Sequence, residues 1–309
     1  MNKYLKKILD EGMSTKADIV IPEQADDRIE STKKKLSSMG FSIVETEDFA
    51  RNKIEYIDFL STKEFAKNWS VKMLTEYLDN PIHFGSTIVA NGDADCIILG
   101  AVTPKDEIIR TAIRTIGIKQ NSKFVFSSTF LLHRYDDISY TYADCSVLPE
   151  PNPDQLAVIA GETAKIYRYI FGEIPEVAFI SFSTLASMEH YRIDRVRKAM
   201  EIFARKFKDI NFVGELQLDS AVDPLSAKYK SVENEIQGNA NVLIFPNMDA
   251  GNVAVKSAEL FGEFTSAGPL LQGLNNSVGM VSRACSVENI INTVALTTME
   301  VNKYADIQL

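Results

Sequence analysis

The sequence predicts an α/β fold built from two domains with largely parallel sheets. Three observations carry that reading. Short apolar, β-rich runs alternate with longer segments of helical period along the whole chain. Most of these runs are continuous rather than alternating, as expected of strands covered on both faces by helices. The chain has 309 residues, more than one hydrophobic core usually organises.

The elements follow in chain order. MNKYLKKILDEG, residues 1–12, reads as a short amphipathic helix. It lacks the long apolar core and small-residue cleavage site of a secretion signal. Strands are expected at ADIVI (17–21), FSIVE (41–45), DCIILGA (95–101), KFVFSS (123–128) and ISYTYADC (138–145). They continue at EVAFISFS (176–183), NFVGEL (211–216), ANVLIFP (240–246) and GEFTSAG (262–268). Only SYTYAD alternates clearly, which marks it as a candidate antiparallel member. PDQLAVIAGETAKIYRYIFG is a helix with Asn152 placed to cap it, Pro153 at its first position and Gly172 as its stop. In IDRVRKAMEIFARKF, Ile193, Val196, Met200, Phe203 and Phe207 recur every three or four residues and form an apolar stripe. LPEPNPDQ (148–155), with three prolines within five residues, is either a linker or a stiff loop inside a domain.

Composition narrows the function classes. An apolar fraction of 45% and a charged fraction of 24% are those of a globular protein in water. The net charge is −9 and no basic tract stands out, so nucleic acid and anionic membrane surfaces are not expected partners. An anionic small molecule is compatible with that charge, because two or three focused arginines suffice to hold one. No apolar run approaches the ~20 residues that span a bilayer. Cys96, Cys145 and Cys285 are widely separated and odd in number, matching neither a disulfide framework nor a zinc spacing. His83, His133 and His190 show no metal-ligand spacing either. The expected compartment is the cytoplasm.

In open α/β sheets ligands sit beyond the carboxyl ends of the strands, so those junctions are where chemistry is sought. SFSTLAS (181–187) offers three serines and a threonine, which either bind phosphate with nearby N–H groups or simply cap a helix. In GELQLDSAV (214–222), Glu215, Gln217 and Asp219 alternate and would share one face of an extended segment, as a site wall or a solvated edge. In NMDAGNVAVK (247–256), Gly251 either lets backbone approach a ligand or belongs to a helix start. GPLLQGLN (268–275) brackets Gln272 with glycines and runs on to Ser282-Arg283, just before what reads as the last helix. An arginine there either binds an anion together with helix N–H groups or is a surface residue. Arg110 and Arg114 lie one turn apart on the helix after DCIILGA. No G-x-S-x-G, Walker loop or G-x-G-x-x-G occurs, so nothing points to a nucleophile elbow or to nucleotide hydrolysis.

Nine pieces in order resemble the phosphate acetyltransferase family, within the wider phosphate acetyl/butyryl transferases. They are DIVIPEQADDRI, DNPIHFGSTIVANGDADCIILGAV, SSTFLL, YADCSVLPEPNPDQLAVIA, ISFSTLAS, GELQLDSAV, GNANVLIFPNMDAGNVAVK, GPLLQGLN and SRACSVENIIN. The resemblance covers nearly the whole chain. It implies a fold like that of isocitrate and isopropylmalate dehydrogenases, with a first domain of residues 1–122 plus 272–309 and a second of residues 123–271. It further implies an active site in the cleft between them and a homodimer formed through the second domain. The family reaction transfers acetyl between CoA and phosphate in a ternary complex, without metal, cofactor or acyl-enzyme. The ligands would be acyl-CoA, phosphate and acyl phosphate.

Carried over residue by residue, Arg283 matches the arginine that holds the phosphate or acyl phosphate, and Ser282 the serine that stabilises the transition state. Arg110 matches a second site arginine. Ser181, Ser183 and Thr184 match the hydroxyl-rich phosphate loop; Gln272, Gly273 and Asn275 match the loop lining the cleft. The departures fall on the same site. The family's aspartate base, six residues after the arginine, is Asn289, and a neutral amide cannot take a thiol proton. The lysine of the family's S-T-K-G-S is Leu185, Glu64 stands in KEFAKN where an arginine is usual, and TPKDE replaces a histidine-bearing turn. The resemblance implies a phosphate acyltransferase, slowed by the missing base or turned to another acyl group. The alternative it leaves is a weak or inactive binding protein, like the regulatory domain fused to some malic enzymes. A dehydrogenase sharing only the fold ranks last, because its metal-binding aspartates and dinucleotide features are not evident.

Overall fold

A computed structural model describes residues 1–232 and 234–305, with side chains as far as residue 301. The strands among them are β1 (Asp18–Val20), β2 (Ser42–Val44), β3 (Cys96–Leu99), β4 (Phe126–His133), β5 (Ser139–Ala143), β6 (Glu176–Ile180), β7 (Asn211–Leu216), β8 (Val242–Ile244), β9 (Phe264–Gln272) and β10 (Ser277–Met280). The fold is mixed α/β, and the chain divides into two compact units. One holds residues 5–125 and continues from Ala267; the other holds Met1–Tyr4 and Phe126–Ser266.

In the unit that contains the C-terminal helix, β2, β1, β3 and β10 lie side by side and run parallel. β9 joins β10 antiparallel, with Leu270 opposite Gly279. β3 reads CIIL and every position is buried, which is why its sequence is continuous rather than alternating. Gly279 sits where the last helix, Val287–Ala305, crosses the sheet: a Cβ there would meet Thr297 Oγ1 at 2.3 Å. β10 was not expected from sequence, because its Ser and Gly carry no strand propensity; close helix approach selects the glycine instead. The N-terminal helix, Lys3–Ser14, packs on the same last helix, and Thr298 Oγ1 donates to Gly12 O at 3.1 Å.

In the other unit β4 and β5 form an antiparallel pair, and β5, β8, β6 and β7 run parallel to one another. SYTYAD (β5) is antiparallel to β4 alone; the strand that runs against the other four is β4, FSSTFLLH, whose burial is continuous. The strand expected at 123–128 begins three residues later and continues through FLLH to His133. The helix Pro153–Phe171 starts at Asn152, whose side chain accepts from Gln155 N in a capping box, and ends at Gly172 with φ 70°. It packs against the helix Tyr191–Lys206, where Phe207 fills the space a Cβ on Gly161 would occupy. That second helix buries Ile193, Val196, Ala199, Ile202 and Phe203. The LPEPNPDQ stretch lies within this unit and is a stiff loop rather than a linker. Asp144, at the end of β5, shapes its start by accepting the Ser127 hydroxyl and the N–H groups of Ser146, Val147 and Leu148. Among the described residues no helix is long and apolar enough to cross a membrane.

Candidate active site

β1, β3 and β10 are parallel, so the loops that leave their carboxyl ends emerge at one edge of the sheet. Three side chains tie these loops together. The Glu23 carboxylate, 3% exposed, accepts the N–H groups of Gly100, Ala101, Val102 and Thr103 at 2.8–3.1 Å. Asp26 caps the helix Asp27–Met39 and pairs with Arg28 at 2.7 Å; that hydrogen bond, above all, holds its carboxyl down at about 2. Arg28 then spends its remaining donors on backbone. Its Nη1 reaches the carbonyls of Arg283 (2.8 Å) and Cys285 (2.9 Å), and its Nη2 reaches that of Ala101 (3.0 Å). A planar guanidinium is suited to this multiple role.

The Ser282-Arg283 loop is therefore fixed by its backbone, which leaves its side chains available. Ser282 Oγ accepts from Ala284 N at 3.3 Å. The Arg283 side chain is exposed, and among the described residues it pairs with no carboxylate. Asn289 is the third residue of the last helix. Its Oδ1 accepts from Ser286 N (3.1 Å) and Ser286 Oγ (2.7 Å), while its own N–H donates to Ser286 Oγ (3.1 Å). This is a capping box with asparagine in the position usually held by Glu or Gln. Cys285 is buried beside Arg28, and burial raises its thiol pKa, so it packs rather than reacts.

The other residues of this unit have different surroundings. Gln272 is 4% exposed and its Nε2 donates to Glu300 at 2.5 Å. Gly273 has φ 90°, and a Cβ there would meet Phe124 O at 2.5 Å, so the position requires glycine. Asn275 donates through Nδ2 to Ile116 O at 3.0 Å. Each of these three is engaged inside its own unit. Arg110 lies on the exposed face of the helix Lys105–Thr115 and pairs with Asp106 at 3.1 Å.

In the other unit, the loop after β6 closes on itself around a buried carboxylate. Glu215, 3% exposed, accepts from Ser183 Oγ (2.9 Å), Ala186 N (2.8 Å) and both Nε and Nη2 of Arg197 (3.0 Å each). Burial pushes its pKa up, but the Arg197 guanidinium, the Ala186 amide and the Ser183 hydroxyl outweigh that and hold it at about 2. Ser181 N donates to Leu216 O, Ser183 N to Ser181 Oγ, Thr184 N to Ser187 Oγ and Leu185 N to Glu215 O. The amides expected to receive a phosphate are thus occupied internally. The loop is also not a helix start, since the next helix begins at Tyr191 under a His190 cap. Leu185 and Ala186 have φ of 46° and 66°. Sequence reasoning placed Glu215, Gln217 and Asp219 on one extended face. β7 instead ends at Leu216 and Leu218–Val222 is a short helix, with Lys230 holding both Gln217 and Asp219.

Glu23, Arg28 and Arg197 were not singled out from sequence. Glu23 and Arg28 lie in DIVIPEQADDRI, directly after a strand, and that position was the signal available. Arg197 belongs to the polar face of a helix, where an arginine is ordinary.

The chain is similar to known proteins in sequence and in fold. Residues 3–298 match the family model described as phosphate acetyl/butaryl transferase. The phosphate acetyltransferase of Thermoanaerobacterium thermosaccharolyticum is 30% identical over 96% of this chain and 98% of its own length. That of Borreliella burgdorferi is 38% identical over 72% of this chain and 66% of its own. Among solved structures, the EutD phosphotransacetylase from Staphylococcus aureus superposes with a TM-score of 0.82 at 27% identity, covering 96% of this chain and 99% of that one. A phosphotransacetylase from Streptococcus pyogenes gives 0.83 at 26% identity, covering 97% and 98%. With a matching model across almost its entire length and relatives aligned end to end, the chain belongs to the phosphate acetyl/butyryl transferase family.

Proposed function

We propose that this protein is a phosphate acyltransferase, moving an acetyl or other short acyl group reversibly between CoA and inorganic phosphate through a ternary complex. The observation that carries the proposal is Arg283: an exposed guanidinium without a carboxylate partner among the described residues, on a loop whose backbone Arg28 pins. Its planar fork, beside the positive end of the last helix, suits a phosphate or acyl phosphate. Ser282 accepts a backbone N–H through Oγ, so its own proton is available to the carbonyl oxygen as that oxygen gains charge in the transition state.

In the acyl-CoA-forming direction the nucleophile is the CoA thiolate, and a free thiol titrates at roughly 8–9. Asn289 removes no proton, since an amide has no useful basicity. Solvent takes the proton instead, and the reaction draws on the fraction of thiol already ionised. The loss of a general base costs about 10²–10⁴-fold in rate, which leaves a slow enzyme rather than none. The proposal extends to a homodimer acting in the cytoplasm, with acyl-CoA, phosphate and acyl phosphate as its ligands and no cofactor. It is supported by the end-to-end likeness to phosphate acetyltransferases.

The test is Arg283→Ala in a phosphate-dependent thiol-release assay. The expected result is a fall in kcat/KM for phosphate of at least ~10²-fold, as for a charge-assisted contact made in the transition state. Arg283→Lys should recover part of it. Activity within threefold of wild type in the alanine variant would sink the assignment.

A further inference from the structure

Four consecutive backbone N–H groups in the turn after β3 donate to one side chain. Glu23 Oε1 accepts those of Gly100, Val102 and Thr103 at 3.0, 3.1 and 2.8 Å, and Oε2 accepts that of Ala101 at 2.9 Å. Such a run of amides makes a concavity for an anion, and the protein fills it with its own buried carboxylate. The turn so shaped reaches the segment before the last helix by two routes. The first is backbone on backbone. Gly100, at φ 118°, lies so close to Val281 that a Cβ there would meet Val281 O at 2.3 Å. Val281 N in turn donates to Leu99 O at 2.8 Å, and Val281 directly precedes Ser282. The second route runs through a peptide unit held on both sides. Its N–H, that of Val102, donates to Glu23, and its carbonyl, that of Ala101, accepts from Arg28 Nη2 at 3.0 Å. Hydrogen bonds in series polarise one another, so the carboxylate makes that carbonyl a better acceptor. Arg28 then spans to the carbonyls of Arg283 and Cys285.

We propose that Glu23 is a positioning residue for the Ser282-Arg283 pair: by shaping the turn at 100–103 it sets where that pair stands. It touches no ligand and acts through other groups. Arg28 pins the loop, but its guanidinium is itself placed by Asp26 on one side and by Ala101 O on the other, and the peptide that carries this carbonyl is placed by Glu23. The bearing of Glu23 on catalysis rests on the reading that Arg283 holds the phosphate. A binding group displaced by about 1 Å costs on the order of 10²-fold in rate, so a buried strut behind the loop is enough to govern turnover.

The experiment uses the full chain and two variants. Glu23→Gln keeps the size of the side chain but turns an NH2 group towards N–H donors. Glu23→Asp keeps both oxygens on a stem one methylene shorter. In phosphate-dependent thiol release, Glu23→Gln should lower kcat/KM for phosphate about tenfold or more, chiefly through KM, and leave KM for acyl-CoA within about threefold of wild type. Glu23→Asp should recover part of the loss. In the Arg283→Ala background, Glu23→Gln should cost less than about threefold, because the group it positions is gone. Full additivity in that cycle would overturn the assignment, as would lost stability with KM for phosphate unchanged. Hydrogen exchange read residue by residue needs neither turnover nor a variant that folds. In the wild type, the amides of Gly100 to Thr103 and that of Cys285, which donates to Ser282 O at 2.9 Å, should open together with one dependence on low urea. Independent opening would overturn the coupling. Exchange and turnover separate this role from the enzyme reading. A wild type that transfers no acyl group but opens as one unit sinks the enzyme reading and leaves Glu23 as the strut of the Ser282-Arg283 segment. A working enzyme whose phosphate kinetics ignore Glu23→Gln does the reverse.

Discussion

Asn289→Asp separates the architecture of the last helix from its chemistry. Asn289 Oδ1 takes two hydrogen bonds from Ser286, at 3.1 and 2.7 Å. Replacing the amide by a carboxylate keeps that acceptor and adds a charge one turn from the helix N-terminus. Two effects on stability add. Hydrogen bonds to a charged acceptor exceed neutral ones by up to about 1 kcal/mol, and an acidic group in the first turn contributes about 0.3–1 kcal/mol. Asn289 is partly exposed, so solvent screening puts the expected gain near the low end, about 0.5–1 kcal/mol. The sign with pH follows. The new carboxyl has a folded pKa below its unfolded value of ~3.9, so the gain is present above that value and disappears as pH falls through the folded pKa. On activity, the second carboxylate oxygen supplies the missing base. The thiol-forming assay run in reverse, with acyl phosphate and CoA, should rise by roughly 10-fold or more, against a ceiling of about 10⁴. The wild-type rate should climb with pH towards the thiol pKa of about 8.5, whereas the variant should level off earlier. A variant that gains the expected stability but no rate would refute the role given to the lost base. One that loses stability would refute the capping geometry itself.

Three further outcomes follow from the same contacts. Arg28→Leu removes the guanidinium from the carbonyls of Arg283, Cys285 and Ala101; about 1–3 kcal/mol of stability should go in urea titrations, and turnover should fall although Arg28 touches no ligand in this account. Glu215 has a folded pKa of about 2 against 4.5, so its contribution is present above the unfolded value and lost as pH falls towards 2. Glu215→Gln should flatten that acid limb, removing on the order of 2 kcal/mol at neutral pH, with the partly exposed Arg197 keeping the figure low. Ala186 occupies the left-handed region at φ 66°, where the resembling motif has glycine. Ala186→Gly should therefore stabilise the protein by about 0.5 kcal/mol in thermal melts, strain relief exceeding the entropy that glycine adds to the unfolded chain.

Much of the framework was legible because local chemistry decides it. The continuous apolar runs at β3 and β8 announced strands buried on both faces, and NFVGEL marked β7 at both ends. Asn152, Pro153 and Gly172 announced a helix from cap to stop. What escaped depends on contacts far apart in sequence. β10 hides behind Ser277 and Gly279, whose fitness comes from Thr297 on the helix above. The helix at 218–222 defeated an alternation of polar residues, since Lys230 gathers Gln217 and Asp219 from a neighbouring turn. Glu215 was visible as a candidate wall residue, but not as the anion filling its own loop, because its partner Arg197 comes from another element. The Ser-Arg pair before the last helix stood out in sequence; the arginine that pins its backbone, 255 residues earlier, did not.

The most direct measurement is steady-state formation of acyl phosphate by the purified wild-type chain from inorganic phosphate and a panel of acyl-CoA thioesters, acetyl to branched short chains. Slow, saturable turnover that requires both substrates, needs no added metal and vanishes in Arg283→Ala is the predicted result. Tight retention of CoA with no product from any thioester would contradict the account and leave a binding protein in its place.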